Sequence, residues 1–144
     1  MKIMAVDLGD ARTGLAVCDR TEFLASPVGV IEERRFEEIV RKVAAAVTEY
    51  AVGEVVVGYP LNMNGSEGDR AKKSALFAEQ LGNTVPVPVR LWDERSTTVA
   101  AHGILNETNT RGKKRKAVVD EVAATLILES YLRYRQDAKQ KEEK

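Results

Sequence analysis

Cysteine is nearly missing from this chain: Cys18 is the single one in 144 residues, so no internal disulfide can form. That usage fits a reducing compartment, and a cytoplasmic location is the expectation. Long apolar runs are missing too. Ile3 to Val6 is cut off by Asp7, too short for the core of a signal peptide, and nothing approaches the roughly 20 apolar residues of a membrane helix, so no membrane span is expected. Net charge is absent as well, with 22 basic and 22 acidic residues. Whole-protein electrostatics therefore says nothing for nucleic acid, and only local clusters can speak. Two exist, Arg70-Ala-Lys-Lys73 and Lys113-Lys-Arg-Lys116. Repeats and an interdomain linker are also lacking. Residues 1–135 read as one domain and 136–144 as a charged, apolar-poor, frayed tail.

What is present is the composition of a packed domain, 44% hydrophobic and 31% charged. Ile3 to Val6 and Leu15 to Cys18 are apolar runs separated by Gly9, Asp10 and Gly14, the pattern of two adjacent strands, and Val28 to Ile31 adds a third. From Phe36, apolar residues fall at helical spacing until Gly53. Val55 to Val57 follows as a strand without alternation, which predicts burial on both faces. Tyr59 to Gly68 is a polar loop, Ala71 to Leu81 a helix, and Val87, Val89 and Leu91 alternate in a strand reaching Asp93. Pro86 and Pro88 favour an edge position for it. Ser96 or Thr97 can cap a helix after Arg95, and Asn106 to Gly112 reads as loop. A last helix starts near Lys116, apolar over much of its surface from Val118 to Leu132. The order predicts an α/β fold: a five-stranded mixed sheet flanked by helices, part meander and part parallel crossover.

Three acids stand out against this frame. Asp7 ends the first strand and Asp93-Glu94 the last, where an open α/β sheet presents ligand-binding loops, although acids at strand ends also serve as turn formers and caps. Asp120 shares a helical face with Ala123, Ala124, Ile127 and Tyr131. A carboxylate on an inward stripe costs several kcal/mol unless paired, hydrogen-bonded or metal-bound, so a structural salt bridge is the other use of such a residue. Two carboxylates about 4 Å apart at an effective dielectric near 20 repel by about 4 kcal/mol. Three converging acids would need protons or a hard divalent cation, Mg²⁺ or Mn²⁺.

Four ordered strings carry a resemblance. Asp7-Leu-Gly9-Asp-Ala-Arg12-Thr-Gly14-Leu-Ala16 resembles the opening of the YqgF/RuvX family of ribonuclease H-like nucleases. Val57-Gly58-Tyr59-Pro60-Leu61-Asn62-Met-Asn64-Gly65-Ser-Glu67-Gly68 resembles its long loop. Asp93-Glu94-Arg95 with Ser96-Thr97-Thr98 resembles its second acidic motif, and Asp120-Glu-Val-Ala123-Ala124 its third. Asn64 stands where the family commonly has aspartate and Ala100 where it often has glutamate, so neither counts as a site residue. The resemblance implies a ribonuclease H-like fold and an acid triad of Asp7, Glu94 and Asp120, with Asp7 the central ligand of Mg²⁺ or Mn²⁺ and phosphodiester hydrolysis as the chemistry.

Arg12, Lys72, Lys73 and Arg95 are candidate phosphate contacts, and Lys113, Lys114, Arg115 and Lys116, four adjacent cations in a glycine-containing loop, are better ones. Ser66 reads as a helix cap, and Trp92 and Tyr59 as packing aromatics rather than base-stacking ones. The resemblance implies trimming of precursor small-subunit ribosomal RNA, with ribosomal precursor particles as partners. Resolution of four-way DNA junctions is the runner-up, and a non-catalytic RNA-binding or transcription-associated protein is a third reading. No long apolar seam advertises a dimer, so a monomer or weak homodimer is expected.

Overall fold

In the computed structural model, the described residues are 1–94 and 112–143, without the side chains of 112–121 and 141–143. Five strands, β1 (Ile3–Asp7), β2 (Arg12–Cys18), β3 (Ala25–Glu32), β4 (Glu54–Tyr59) and β5 (Val89–Asp93), form one sheet in the order β3-β2-β1-β4-β5. Short connections make β1, β2 and β3 an antiparallel meander. β4 pairs with β1, and β5 with β4, in parallel, and each crossover carries a helix: α1 (Phe36–Glu49) and α2 (Asp69–Thr84). The last helix is α3 (Gly112–Glu143).

The sheet is covered on both faces, which explains the strands without polar alternation. Met4, Val6, Leu15, Val17, Val55 and Val57 pack with Ile39, Val43, Phe77 and Leu81 of α1 and α2. The intervening Ile3, Ala5, Ala16, Cys18 and Val56 pack with Ala124, Ile127, Leu128, Tyr131 and Leu132 of α3. β5 is an edge strand, as Pro86 and Pro88 imply, and the Val55 N–H bonds to the Pro88 carbonyl just before it.

One expectation is corrected in the last helix. It begins at Gly112 rather than near Lys116, so Lys113 to Lys116 lie on its first turns and not in a loop. It also continues through the charged tail to Glu143, because Gln, Ala, Lys and Glu are good helix formers and its side chains find partners: Arg135 and Gln136 both bond to Glu22. The helix expected after Arg95 lies outside the described residues, as does Arg95 itself. Among the described residues no helix is long and apolar enough to cross a membrane.

Candidate active site

Parallel pairing sets the site. Val6 is level with Val57 and Tyr59 with Asp93, so β1, β4 and β5 end together at one edge of the sheet. Asp7 is the last residue of β1 and is 8% exposed. Glu94 follows β5 directly, is 7% exposed, and its peptide N–H is anchored on the Tyr59 carbonyl at 3.2 Å.

Between them lies Gly58, the bare position that makes room. A Cβ there would sit 2.6 Å from the Glu94 carboxyl carbon and 2.8 Å from Ile127 Cδ1. Glu94 is thereby folded back over β4 against α3, where its carboxyl shares a hydrogen bond with that of Asp7. Such a bond needs a proton between the two groups. Burial raises the Glu94 pKa above its ordinary value; the Arg70 guanidinium and the Asp7 hydrogen bond pull it back, and Asp93 pushes it up further.

Asp120 belongs to α3, and its side chain lies outside the described residues. The helix direction still places its backbone. Tyr131 bonds to Glu54 at the start of β4 and Ile127 touches the Gly58 position near its end, so α3 runs antiparallel to β4. Residue 120 is two turns before Ile127, about 10 Å along the axis on the side of Asp7 and Glu94.

The basic candidates divide. Arg12 opens β2 beside the end of β1, 3.7 Å from Glu32, with no hydrogen-bond acceptor for its buried Nε among the described residues. Lys73 donates to Asp10 of the β1–β2 turn at 3.2 Å. Both are therefore at the edge that carries Asp7, whereas Lys72 is exposed on α2 with no ion pair among the described residues. Lys113 to Lys116 are placed by backbone only, and Arg95 lies outside the described residues. Arg70, in the first turn of α2, is the residue the sequence reading passed over; its position in a basic cluster just after the long loop was the available signal.

The loop is built from its own polar groups. Tyr59 OH donates to Glu67, raising the tyrosine pKa, while Ser66 Oγ donates to Asn64 and accepts from Asn62. Ser66 is thus a loop brace and not the helix cap expected of it; Gly68 holds the cap position of α2. Trp92 is a packing residue, its Nε1 donating to Ser130 at 3.2 Å and its ring edge-on to Tyr131 at 5.3 Å.

Solved structures of the same architecture include a Thermus thermophilus RuvC (TM-score 0.57, 16% identical, 93% of this chain and 96% of that one). The fowlpox virus Holliday junction resolvase is another (TM-score 0.56, 17% identical, 93% and 99%). At such identity they speak for the fold alone, and the fold is ribonuclease H-like. The chain belongs to the RuvX family, whose model, described as Holliday junction resolvase, matches residues 1–134. It is accordingly a phosphodiester hydrolase. Two similar relatives are each named as a proposed pre-16S rRNA nuclease. One, from Halothermothrix orenii, is 42% identical over 93% of this chain and 96% of its own. The other, from Listeria monocytogenes, is 44% identical over 92% and 97%.

Proposed function

We propose that this protein is a metal-dependent nuclease that hydrolyses phosphodiester bonds in structured nucleic acid, with precursor 16S rRNA as its substrate during ribosome biogenesis in the cytoplasm. The observation that carries the reading is the buried Asp7–Glu94 pair at the adjoining strand ends. Two carboxyls held together in a poorly solvated site ionise together only where positive charge stands beside them, as the Arg70 guanidinium does for Glu94. A hard divalent cation meets that need with oxygen ligands of the kind present. Among the described residues no group of three or more His, Cys, Asp or Glu side chains forms a metal cluster; Asp120 is taken as the third ligand on the resemblance of its motif, and the course of the α3 backbone toward this edge supports that reading.

In this reading Asp7, Glu94 and Asp120 hold Mg²⁺ or Mn²⁺, which supplies charge neutralisation at the phosphate and an activated water. Gly58 leaves the space in which Glu94 is held, and the packing around it keeps water from solvating the carboxyl. Arg70, Arg12 and Lys73 stand where they can meet phosphates at this edge, and Arg95, Lys72 and Lys113 to Lys116 are kept as phosphate contacts on their sequence alone. A binding module has no use for two buried carboxyls facing phosphate, which disfavours the non-catalytic reading. The names of the relatives favour RNA, and the description of the family favours the four-way junction as second reading.

The test gives purified protein precursor 16S rRNA and a four-way DNA junction side by side in Mg²⁺. Cutting of the RNA by wild type, lost in Asp7→Asn, is expected. Cutting of the junction alone would move the substrate to DNA, and cutting of neither would overturn the nuclease reading.

A further inference from the structure

At the end of the sheet remote from Asp7 and Glu94, a cavity of about 270 Å³ is lined by Arg90, Tyr131, Tyr134, Arg135, Ala138 and Lys139. Its walls are fixed by Glu54, a carboxylate only 2% exposed. Arg90 Nε lies 2.5 Å from Glu54 Oε1, the Tyr131 hydroxyl donates to the same oxygen at 2.8 Å, and Arg135 Nη1 stands 3.5 Å from Oε2. Half of the lining side chains are thus held in place by one buried group. Three cations meet two buried carboxylates here, Glu54 and the Glu22 that pairs with Arg135 and Lys139, so the cavity is net positive. Tyr134 stacks on Tyr131 with ring centroids 6.2 Å apart, yet is 56% exposed and offers a ring face to solvent.

The strand period ties this cavity to the acids. Arg90, Trp92 and Glu94 alternate along β5 and lie on the face toward α3, as do Glu54, Val56 and Gly58 on β4. Arg90 is four residues from Glu94, about 13 Å along the strand. That distance corresponds to about four nucleotides of rise along a duplex strand. Cations with an exposed aromatic ring are the equipment by which proteins hold single-stranded nucleic acid, the base stacking on the ring and the phosphate meeting the charge.

We propose that this cavity is a second nucleic-acid contact, holding one nucleotide of a single-stranded segment with its base on Tyr134 and its phosphate between Arg90 and Lys139. It rests on the reading of the protein as a nuclease and adds the place where substrate is gripped beyond the cut. Nothing in the strand-end chemistry requires it, and its residues lie outside the four strings that mark the family.

Trp92 is the single tryptophan of the chain and its ring centroid is 5.3 Å from that of Tyr134, so its emission reports on the cavity. A short single-stranded RNA oligonucleotide is titrated in chelator, where no cleavage step enters, and affinity is read from Trp92 fluorescence at several salt concentrations. Saturable binding is expected, weakened about tenfold in Tyr134→Ala. Lys139→Gln should lower the slope of log affinity against log salt by about 0.7, the loss of one phosphate contact. Arg41→Gln, an equal loss of charge on exposed α1 at the opposite face, should leave the slope unchanged. Both test side chains are largely exposed, so the variants keep the fold, and circular dichroism checks it. Adenosine monophosphate binding as tightly as the oligonucleotide would make the cavity a free-nucleotide site and overturn the strand contact. Unchanged affinity and slope in both variants would overturn the site. Binding that depends on Tyr134 and Lys139 in a protein that cuts nothing would sustain this contact while removing the nuclease reading.

Discussion

Four carboxylates are buried among the described residues, two at each end of the sheet, and the two pairs are treated in opposite ways. At one end Glu22 and Glu54 are matched by cations: Arg135 bonds to Glu22 at 2.6 Å and reaches Glu54, which also has Arg90 and the Tyr131 hydroxyl. The Arg135 hydrogen bond holds Glu22 below its ordinary pKa, and Glu22 in turn raises that of Arg135. At the other end Asp7 and Glu94 face each other, and burial drives Glu94 the other way. Burial alone therefore does not mark a functional acid. The mark is burial against another acid, where two carboxyls share one poorly solvated place.

The comparison is broken most sharply by removing one charge at each end. Asp7→Asn and Glu94→Gln should reduce cleavage to background while the thermal stability of the metal-free protein holds or rises, since the amide can donate the hydrogen bond that otherwise needs a shared proton. Cleavage assays with parallel melting curves check both halves. Gly58→Ala comes next. The added methyl collides with Glu94 and Ile127, so activity should fall about a hundredfold through displacement of Glu94, with about 1–3 kcal/mol of stability lost to overpacking. A variant with unchanged turnover would mean that the position of Glu94 is immaterial.

At the other end the effect should be on stability. Glu54→Gln takes the buried counter-charge from Arg90 and leaves Arg135 with Glu22 alone, and should cost about 3 kcal/mol in denaturant unfolding, the low end for a broken buried pair because Arg90 can turn to solvent and Arg135 keeps its other partner. The smallest effect is in pH. Glu22 titrates below its ordinary 4.5 in the folded state, so its contribution is complete above that pH and fades as pH falls through the lowered value. Wild type should therefore exceed Glu22→Gln in stability at pH 7, with the gap closing below pH 4.5; a gap independent of pH would remove the ion pair as its cause.

Much of this was legible in residue order, and the gaps have physical reasons. The Val55–Val57 run announced a strand buried on both faces, Pro86 and Pro88 an edge, and Asp7 and Glu94 their places at strand ends. The helical start at Gly112 was hidden because glycine and four cations read as a loop, whereas Lys and Arg are good helix formers. The polar hold of Arg135 and Gln136 on Glu22 spans more than a hundred residues of sequence, which no local pattern contains. Gly58 carried a signal that went unread: a glycine ending a valine run often marks the close approach of another group. Arg70 was visible as part of a basic cluster, but only the fold shows that it is the member whose charge reaches Glu94.

The central claim is that Asp7 and Glu94 together hold a divalent cation. Titration of Mn²⁺ into wild-type protein and Glu94→Gln, with free Mn²⁺ read by electron paramagnetic resonance, tests it without reference to substrate. Saturable binding in wild type that is lost in Glu94→Gln, with the variant still folded, is the result predicted here. Equal Mn²⁺ affinity in the two proteins would contradict it and leave the buried pair without a cation to explain it.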